Sequence, residues 1–300
     1  PAAWCGLFGL RPSRGRVPPG PAVGEVWEGA SCDLVVTRSV RDSALALDIL
    51  SGPICGDPYV IAPPAGRYVE MAAREPGRLR IARSLTAAVD GVEIHPDCVA
   101  AYEDASALLE SLGHDVQDID LPFGADVVPA FVTLWYSMAT LAPIAPEQEA
   151  ELLPLTRYLR GKGLELRAAD LLFAQAYLQA VMRRGLSVLN DYDAVLTPTV
   201  ASPPVPVGYF DEVEPAENFE RQKRFTPWTA LYNLSGQPAV SLPLYWNSAG
   251  LPIGVMLAGR IGDEATLISL SAQLETARPW KDRHPPIWSG AGRPAGRQSD

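Results

Sequence analysis

A hydrolytic centre needs a nucleophile, a base to take its proton and donors for the oxyanion. The 300-residue chain offers three histidines for such work. His95 and His114 stand at opposite ends of one helical pattern, about 25 Å apart at the α-helical rise, and His284 lies in a Pro-rich terminal segment, so no two share a site. The run His95-Pro96-Asp97-Cys98 has ligand-type residues at short spacing, but a metal wants three or four convergent ligands and no second group accompanies it. Helix-start chemistry accounts for it better, with Pro96 in the first turn and Asp97 at the positive helix end. No metal and no cofactor is expected. A G-x-S-x-G nucleophile elbow is absent from the sequence. A Ser-Lys mechanism needs a buried lysine of lowered pKa, whereas Lys162, Lys223 and Lys281 all lie in polar or Gly-flanked contexts that read as solvated. Arg11, Arg14 and Arg16 resemble a phosphate clamp, yet no Gly-rich helix start follows them, and they are expected to solvate a surface turn.

The elements that must position any site follow from periodicity. "CGLFGL" is expected as a strand, and "TRSVRDSALALDILSGP" as a helix with Val40, Ala44, Leu47, Ile49 and Leu50 inward and Gly52-Pro53 as its stop. "RLRIARS", "HPDCVAAYEDASALLESLG" and "HDVQDIDLP" form a strand-helix-strand unit, the helix burying Val99, Tyr102, Ala105, Leu109 and Leu112 and closing at Gly113. Residues 123–190 are helical in tendency with a break at Gly161-Lys162-Gly163. The longest helix runs over "RAADLLFAQAYLQAVMRRGLSVLNDY", its inward positions Leu171, Leu172, Ala174, Tyr177, Leu178, Val181 and Met182. "DAVLTPTV" is a buried strand ending at Pro198, "TPWTALYNLSG" a short helix, and "AVSLPL" and "IGVMLAG" the arms of a hairpin around Asn247 to Gly250. Asp263 caps a last helix through Leu267, Leu270 and Leu274.

The pattern is α/β, with 47% hydrophobic residues to build a large core. A formal charge of −10 argues against nucleic acid, because phosphate contacts need clustered Lys and Arg, and favours a small-molecule partner. The longest apolar stretch, "FVTLWYSMATLAPIAP", is broken by Pro143 and Pro146 and is too short to span a bilayer, so no membrane association is expected. Cys5, Cys32, Cys55 and Cys98 lack disulfide-scaffold density and read as reduced residues of a cytoplasmic protein. One domain over 1–288 is expected, with 289–300 a disordered polar tail.

Five stretches in order resemble the amidase signature family of hydrolases: "PAAWCGLFGLRPSRGRVP", "TRSVRDSALALDIL", "YDAVLTPT", "FTPWTALYNLSGQPAVSLP" and "GLPIGVMLAGRIGDEATLISLSAQLE". "CDLVVTRSVRD", "GDPY", "EPGRLRIARS" and "HPDCVAAYEDASALLESLGHDV" look closest to the branch that includes bacterial cyclic-amide (nylon-oligomer) hydrolases. The resemblance implies a mixed β-sheet covered by helices, no cofactor, and hydrolysis of linear or cyclic amides by a Ser nucleophile, a second Ser and a Lys. In the family the nucleophile lies about four residues before the Pro-Ala that is Pro1-Ala2 here, so none of the three catalytic residues falls on this chain. The expectation is therefore a C-terminal portion of an amidase, inactive alone and self-associating through an exposed sheet edge. The alternatives are a non-catalytic binding subunit on a degenerate amidase fold and the product of a truncated gene. By analogy the wall of the substrate pocket comes from Trp135, Tyr136 and Met138, from Thr197 and Thr199, and from Trp228 and Asn233. Trp135 and Trp228 would cover an apolar substrate or simply pack in the core. Asn233 would orient a carbonyl or cap local backbone.

Overall fold

Near-continuous apolar runs in the hairpin arms, buried on both faces, and apolar residues at helical spacing around them lead to three layers: helices, one sheet, helices. The structure, a computed structural model, describes residues 1–288; the tail expected at 289–300 lies outside the described residues. In chain order the elements are α1 (Ala2–Cys5), β1 (Phe8–Arg11), β2 (Val36–Thr37), α2 (Val40–Leu50), α3 (Tyr68–Met71), β3 (Arg80–Arg83), α4 (Pro96–Ser111) and β4 (Asp115–Asp118). They continue with α5 (Val127–Met138), a 3-10 turn (Pro146–Glu151), α6 (Pro154–Leu164), α7 (Ala168–Leu189), β5 (Ala194–Pro198), α8 (Pro215–Phe225), α9 (Thr229–Ser235), β6 (Ala239–Trp246), β7 (Pro252–Gly259) and α10 (Glu264–Ala277).

The strands form one seven-stranded sheet in the order β2-β1-β6-β7-β5-β3-β4. It is mixed: β3 pairs in parallel with β4 and β5, and the remaining pairs are antiparallel. The strand-helix-strand unit is β3-α4-β4, its helix opened by His95, whose ring accepts from the Asp97 N–H, with Pro96 in the first turn. One sheet face buries Ile81, Leu196, Val240, Leu242, Val255 and Leu257 against α2, α4 and α10. The other buries Ala82, Val195, Ala239, Met256 and Ala258 against α5, α7 and α9. The edges are the two-residue β2 and the four-residue β4.

Several local expectations are corrected. "CGLFGL" does not begin as a strand: Cys5 ends a one-turn helix, Gly6 turns the chain with φ of 61°, and the strand starts at Phe8. The Gly161-Lys162-Gly163 stretch is not a break, because α6 runs through it. A Cβ at Gly163 would stand 2.2 Å from the Tyr136 carbonyl oxygen and 2.5 Å from Thr140 Cγ2, so glycine here is what lets α6 cross α5 closely. On α2 only Val40, Ala44 and Leu47 of the five proposed face inward, while Ile49 and Leu50 are exposed; on α7, Leu172 and Tyr177 are exposed.

The arginines of "RPSRGR" are not surface solvators. Arg11 donates to Asn233 Oδ1 (3.0 Å) and the Gln237 carbonyl (2.9 Å), and burial lowers its pKa. Arg14 donates to the carbonyls of Gly29 (2.6 Å), Asn233 (2.9 Å) and Leu234 (2.8 Å). Arg16, 3% exposed, pairs with fully buried Glu264 at 3.1 Å, whose other oxygen accepts from the Ser13 N–H at 2.9 Å. Burial works against the Glu264 carboxylate, but its hydrogen bonds and the Arg16 charge prevail and hold its pKa below the ordinary value. The three guanidiniums thereby tie the loop after β1 to the last turn of α9 and to the start of α10. Lys223 is likewise not solvated: its side chain is 14% exposed and bonded to Glu220 at 2.6 Å.

Candidate active-site wall

Where β5, β7 and β6 run side by side, Thr197, Met256 and Ser241 are cross-strand partners and so share a face. Two residues on, Thr199 joins them, its hydroxyl 3.0 Å from that of Ser241. Small residues adjoin this hydroxyl row, and α1 rests on them. A Cβ at Gly254 would lie 2.6 Å from Ala3 Cβ and 2.8 Å from Ser241 Oγ, and one at Gly9 would lie 2.7 Å from Ala2 Cβ. The sequence makes these positions glycine so that the α1 backbone can sit against the strands. The Thr197 hydroxyl and the Tyr232 phenol are both buried and lie near each other, with no other hydrogen-bond partner among the described residues. Burial drives the Tyr232 pKa up.

From α1 the site continues into apolar ground. Trp4 packs edge-on against Phe225 at 4.6 Å between ring centroids, and the next two residues, Thr226 and Pro227, line a cavity of about 80 Å³. Its other walls include Phe131 and Trp135 of α5, Phe219 of α8 and Leu231 of α9. The Trp135 ring meets Phe131 at 5.4 Å and Phe219 at 6.1 Å. The only charged group on this lining, Lys223, is occupied by Glu220. Such a cavity offers dispersion contact and water exclusion to an apolar group, and no proton transfer.

Of the residues expected to form the pocket wall, Trp135 alone lines this cavity. Tyr136 packs against Tyr158 and Phe219 beside it, with its pKa raised by burial. Met138 is buried core. Thr197 and Thr199 belong to the hydroxyl row. Trp228 is fully buried and is not part of the cavity lining, its indole N–H donating to the Thr86 carbonyl at 2.9 Å. Asn233 neither faces the cavity nor caps backbone with its carbonyl oxygen, which accepts from Arg11. Phe131, one helical turn before Trp135, was within reach of the 3.6-residue period; Phe219 and Ser241 carry no local signal. No group of His, Cys, Asp and Glu that could hold a metal occurs among the described residues, and none of their helices is long and apolar enough to cross a membrane.

Together these features define an α/β protein that presents a short helix, a hydroxyl row and an aromatic cavity on one face of a mixed sheet. The amidase family model matches residues 1–268, and the chain belongs to that family. It is 35% identical to AmiB2 of Mycobacterium tuberculosis over 96% of this chain and 60% of that protein. To the 6-aminohexanoate-cyclic-dimer hydrolase of Paenarthrobacter ureafaciens it is 33% identical, over 96% of this chain and 62% of the relative. A solved structure of 6-aminohexanoate cyclic dimer hydrolase complexed with substrate superposes with a TM-score of 0.86 at 27% identity, covering 95% of this chain and 63% of that one. A bacterial aryl acylamidase of the amidase signature family, 21% identical, shares the fold with a TM-score of 0.73 over 93% of this chain and 60% of its own. The chain thus spans about 60% of the length of the curated relatives it matches.

Proposed function

We propose that this chain forms the scaffold and the apolar pocket wall of an amide hydrolase whose nucleophile and base lie outside these 300 residues. The observation that carries this reading is the seating of α1. Its two alanines rest on the glycine and serine pad of the sheet, and Trp4 touches the segment that lines the aromatic cavity. By the family resemblance the reactive serine precedes α1 by a few residues, and this seat would bring it to the cavity mouth. The lysines support the division of labour. Lys162 pairs with Glu165, Lys223 with Glu220, and Lys281 is exposed, so none is placed as a buried base.

Chemically the reading is acyl transfer. A serine hydroxyl attacks the amide carbonyl, its proton passes by way of the second serine and lysine to the departing amine, and water then releases the acid. The cavity's part is to hold the apolar portion of the amide and exclude water while this happens. Its aliphatic and aromatic lining suits a short hydrocarbon portion of a linear or cyclic amide, since about 80 Å³ takes only a few methylenes. The free state of all four cysteines supports work in a reducing compartment such as the cytoplasm.

The test is titration of the purified chain with hexanamide. Wild type is expected to bind it, and Trp135→Ala to weaken binding about tenfold, on the scale of one lost aromatic wall contact. Equal affinities for the two would refute the assignment of the pocket.

A further inference from the structure

A cleft of about 460 Å³ opens along α7, separate from the aromatic cavity and sharing only Leu234 with it. Helical spacing builds its wall. Gln175, Leu178, Gln179, Met182, Arg183 and Leu186 follow one another at three- and four-residue intervals and so share one face of α7. Leu178 and Met182, both buried, join Leu134 of α5 and Leu234 of α9 in an apolar lining. Glu28 lines the same cleft and stands at its Gln175 end, because its carboxylate accepts from Gln175 Nε2 at 2.6 Å. The backbone holds it there under strain: Trp27 and Glu28 have φ of 56° and 52°, a region that such residues occupy only where surrounding contacts over-determine them. One such contact follows directly, since the Gly29 carbonyl accepts from Arg14 at 2.6 Å.

Several polar groups of the lining are already engaged. Arg14 donates to the carbonyls of Gly29, Asn233 and Leu234, and Ser235 donates to Gln237 Oε1 at 3.1 Å. Two charges remain. The Gln175 bond uses one carboxylate oxygen of Glu28, and among the described residues no cation pairs with the group; burial and the neighbouring Glu25 charge raise its pKa. Arg183 is exposed and makes no ion pair among the described residues. Gln175 and Arg183 stand roughly 12 Å apart along α7 at the α-helical rise. An anion and a cation therefore face the two ends of one apolar-lined cleft.

We propose that this cleft is a binding site for an ω-amino carboxylate, a hydrocarbon chain with an ammonium group at one end and a carboxylate at the other. The ammonium donates to Glu28, the carboxylate accepts from Arg183, and the methylenes lie against Leu178, Met182 and Leu134. A hydrogen bond of about 2.8 Å at each end leaves roughly 6 Å between the ligand's own charges, which an extended chain of about five carbons spans. Direction is fixed as well, because Glu28 repels a carboxylate and Arg183 an ammonium. The ligand class has a source in amide hydrolysis. Water added across the C–N bond of a cyclic amide leaves one ammonium and one carboxylate on the same chain. The site rests on the geometry of the cleft; only this link to a product rests on the proposed function.

Calorimetric titration of the 300-residue chain with 5-aminopentanoate, pentanoate and pentylamine tests it. Wild type is expected to bind the zwitterion about tenfold more tightly than either singly charged probe, the scale of one hydrogen bond to a charged group. Arg183→Gln alters an exposed position and leaves the core intact; it is expected to weaken 5-aminopentanoate about tenfold and to leave pentylamine unchanged. Glu28→Gln keeps an acceptor for Gln175 and is expected to weaken 5-aminopentanoate and pentylamine but not pentanoate. Arg184→Gln removes the same charge one residue on, outside the lining, and is expected to change none of the three. Equal affinities for the three probes, no binding of 5-aminopentanoate by wild type, or equal losses in Arg183→Gln and Arg184→Gln would overturn the site. Hexanamide binding that Trp135→Ala weakens reports on the aromatic cavity alone, so either assignment can fail while the other stands.

Discussion

Substituting Gly254 by alanine tests the seat on which the functional reading depends. The added Cβ would lie 2.6 Å from Ala3 Cβ, 2.8 Å from Ser241 Oγ and 2.9 Å from Ala3 Cα. Ordinary carbon contacts are about 3.5–4.0 Å, so the overlap is roughly 1 Å. Because one of the crowded atoms is backbone, no side-chain rotation removes it, and α1 must lift from β7. Overpacking of this kind costs about 1–3 kcal/mol. Gly254 is not among the left-handed glycines, so alanine brings no dihedral penalty and the effect is steric alone. Urea denaturation is expected to show a lower midpoint at unchanged slope, and the emission of Trp4, packed on Phe225, to change as the helix lifts. A stability within about 0.5 kcal/mol of wild type, the range of an ordinary surface substitution, together with unaltered emission would refute the seating.

Two glycines of α6 give a paired test. Gly161→Ala, with open space around the new methyl, is expected to stabilise by up to about 1 kcal/mol through helix propensity. Gly163→Ala, driven into the Tyr136 carbonyl, is expected to destabilise by about 1–3 kcal/mol; thermal melts check both. Glu264 supplies a pH dependence. Its folded pKa lies below the ordinary 4.5, so its stabilisation is full above that value and is lost as pH falls through the folded pKa. Glu264→Gln strands the buried Arg16 charge and is expected to cost about 3–5 kcal/mol at neutral pH. The difference from wild type should narrow below pH 4.5, as urea titrations across pH would show.

Where local chemistry decides structure, the sequence was legible. Pro96 and Asp97 mark the start of α4 and Gly113 follows its end; Asp263 caps α10 by accepting from the Thr266 N–H; Asn247 to Gly250 turns the β6–β7 hairpin. What escaped was decided by distant partners. The four residues of α1 are too short to show a period, and their helix is set by packing on Gly9 and Gly254, the latter some 250 positions away in the chain. Arg11 and Arg14 look like a solvated cluster until the carbonyls near Asn233 are brought to them. The site divides the same way. Trp135 was reached through the family resemblance, whereas Phe219 lies in the charged run of α8 and carries no local signal of its own. Trp228 has the same side chain as Trp135, yet its indole N–H finds the Thr86 carbonyl and the residue joins the core.

The central claim is that these 300 residues hold the pocket of an amide hydrolase and not its reacting groups. A proton NMR time course of hexanamide with the purified chain reads both halves at once. The account predicts broadening of the acyl-chain signals, reversed by Trp135→Ala, with no hexanoate appearing. Hexanoate formed in proportion to the protein added, or sharp signals at every protein concentration, would contradict it.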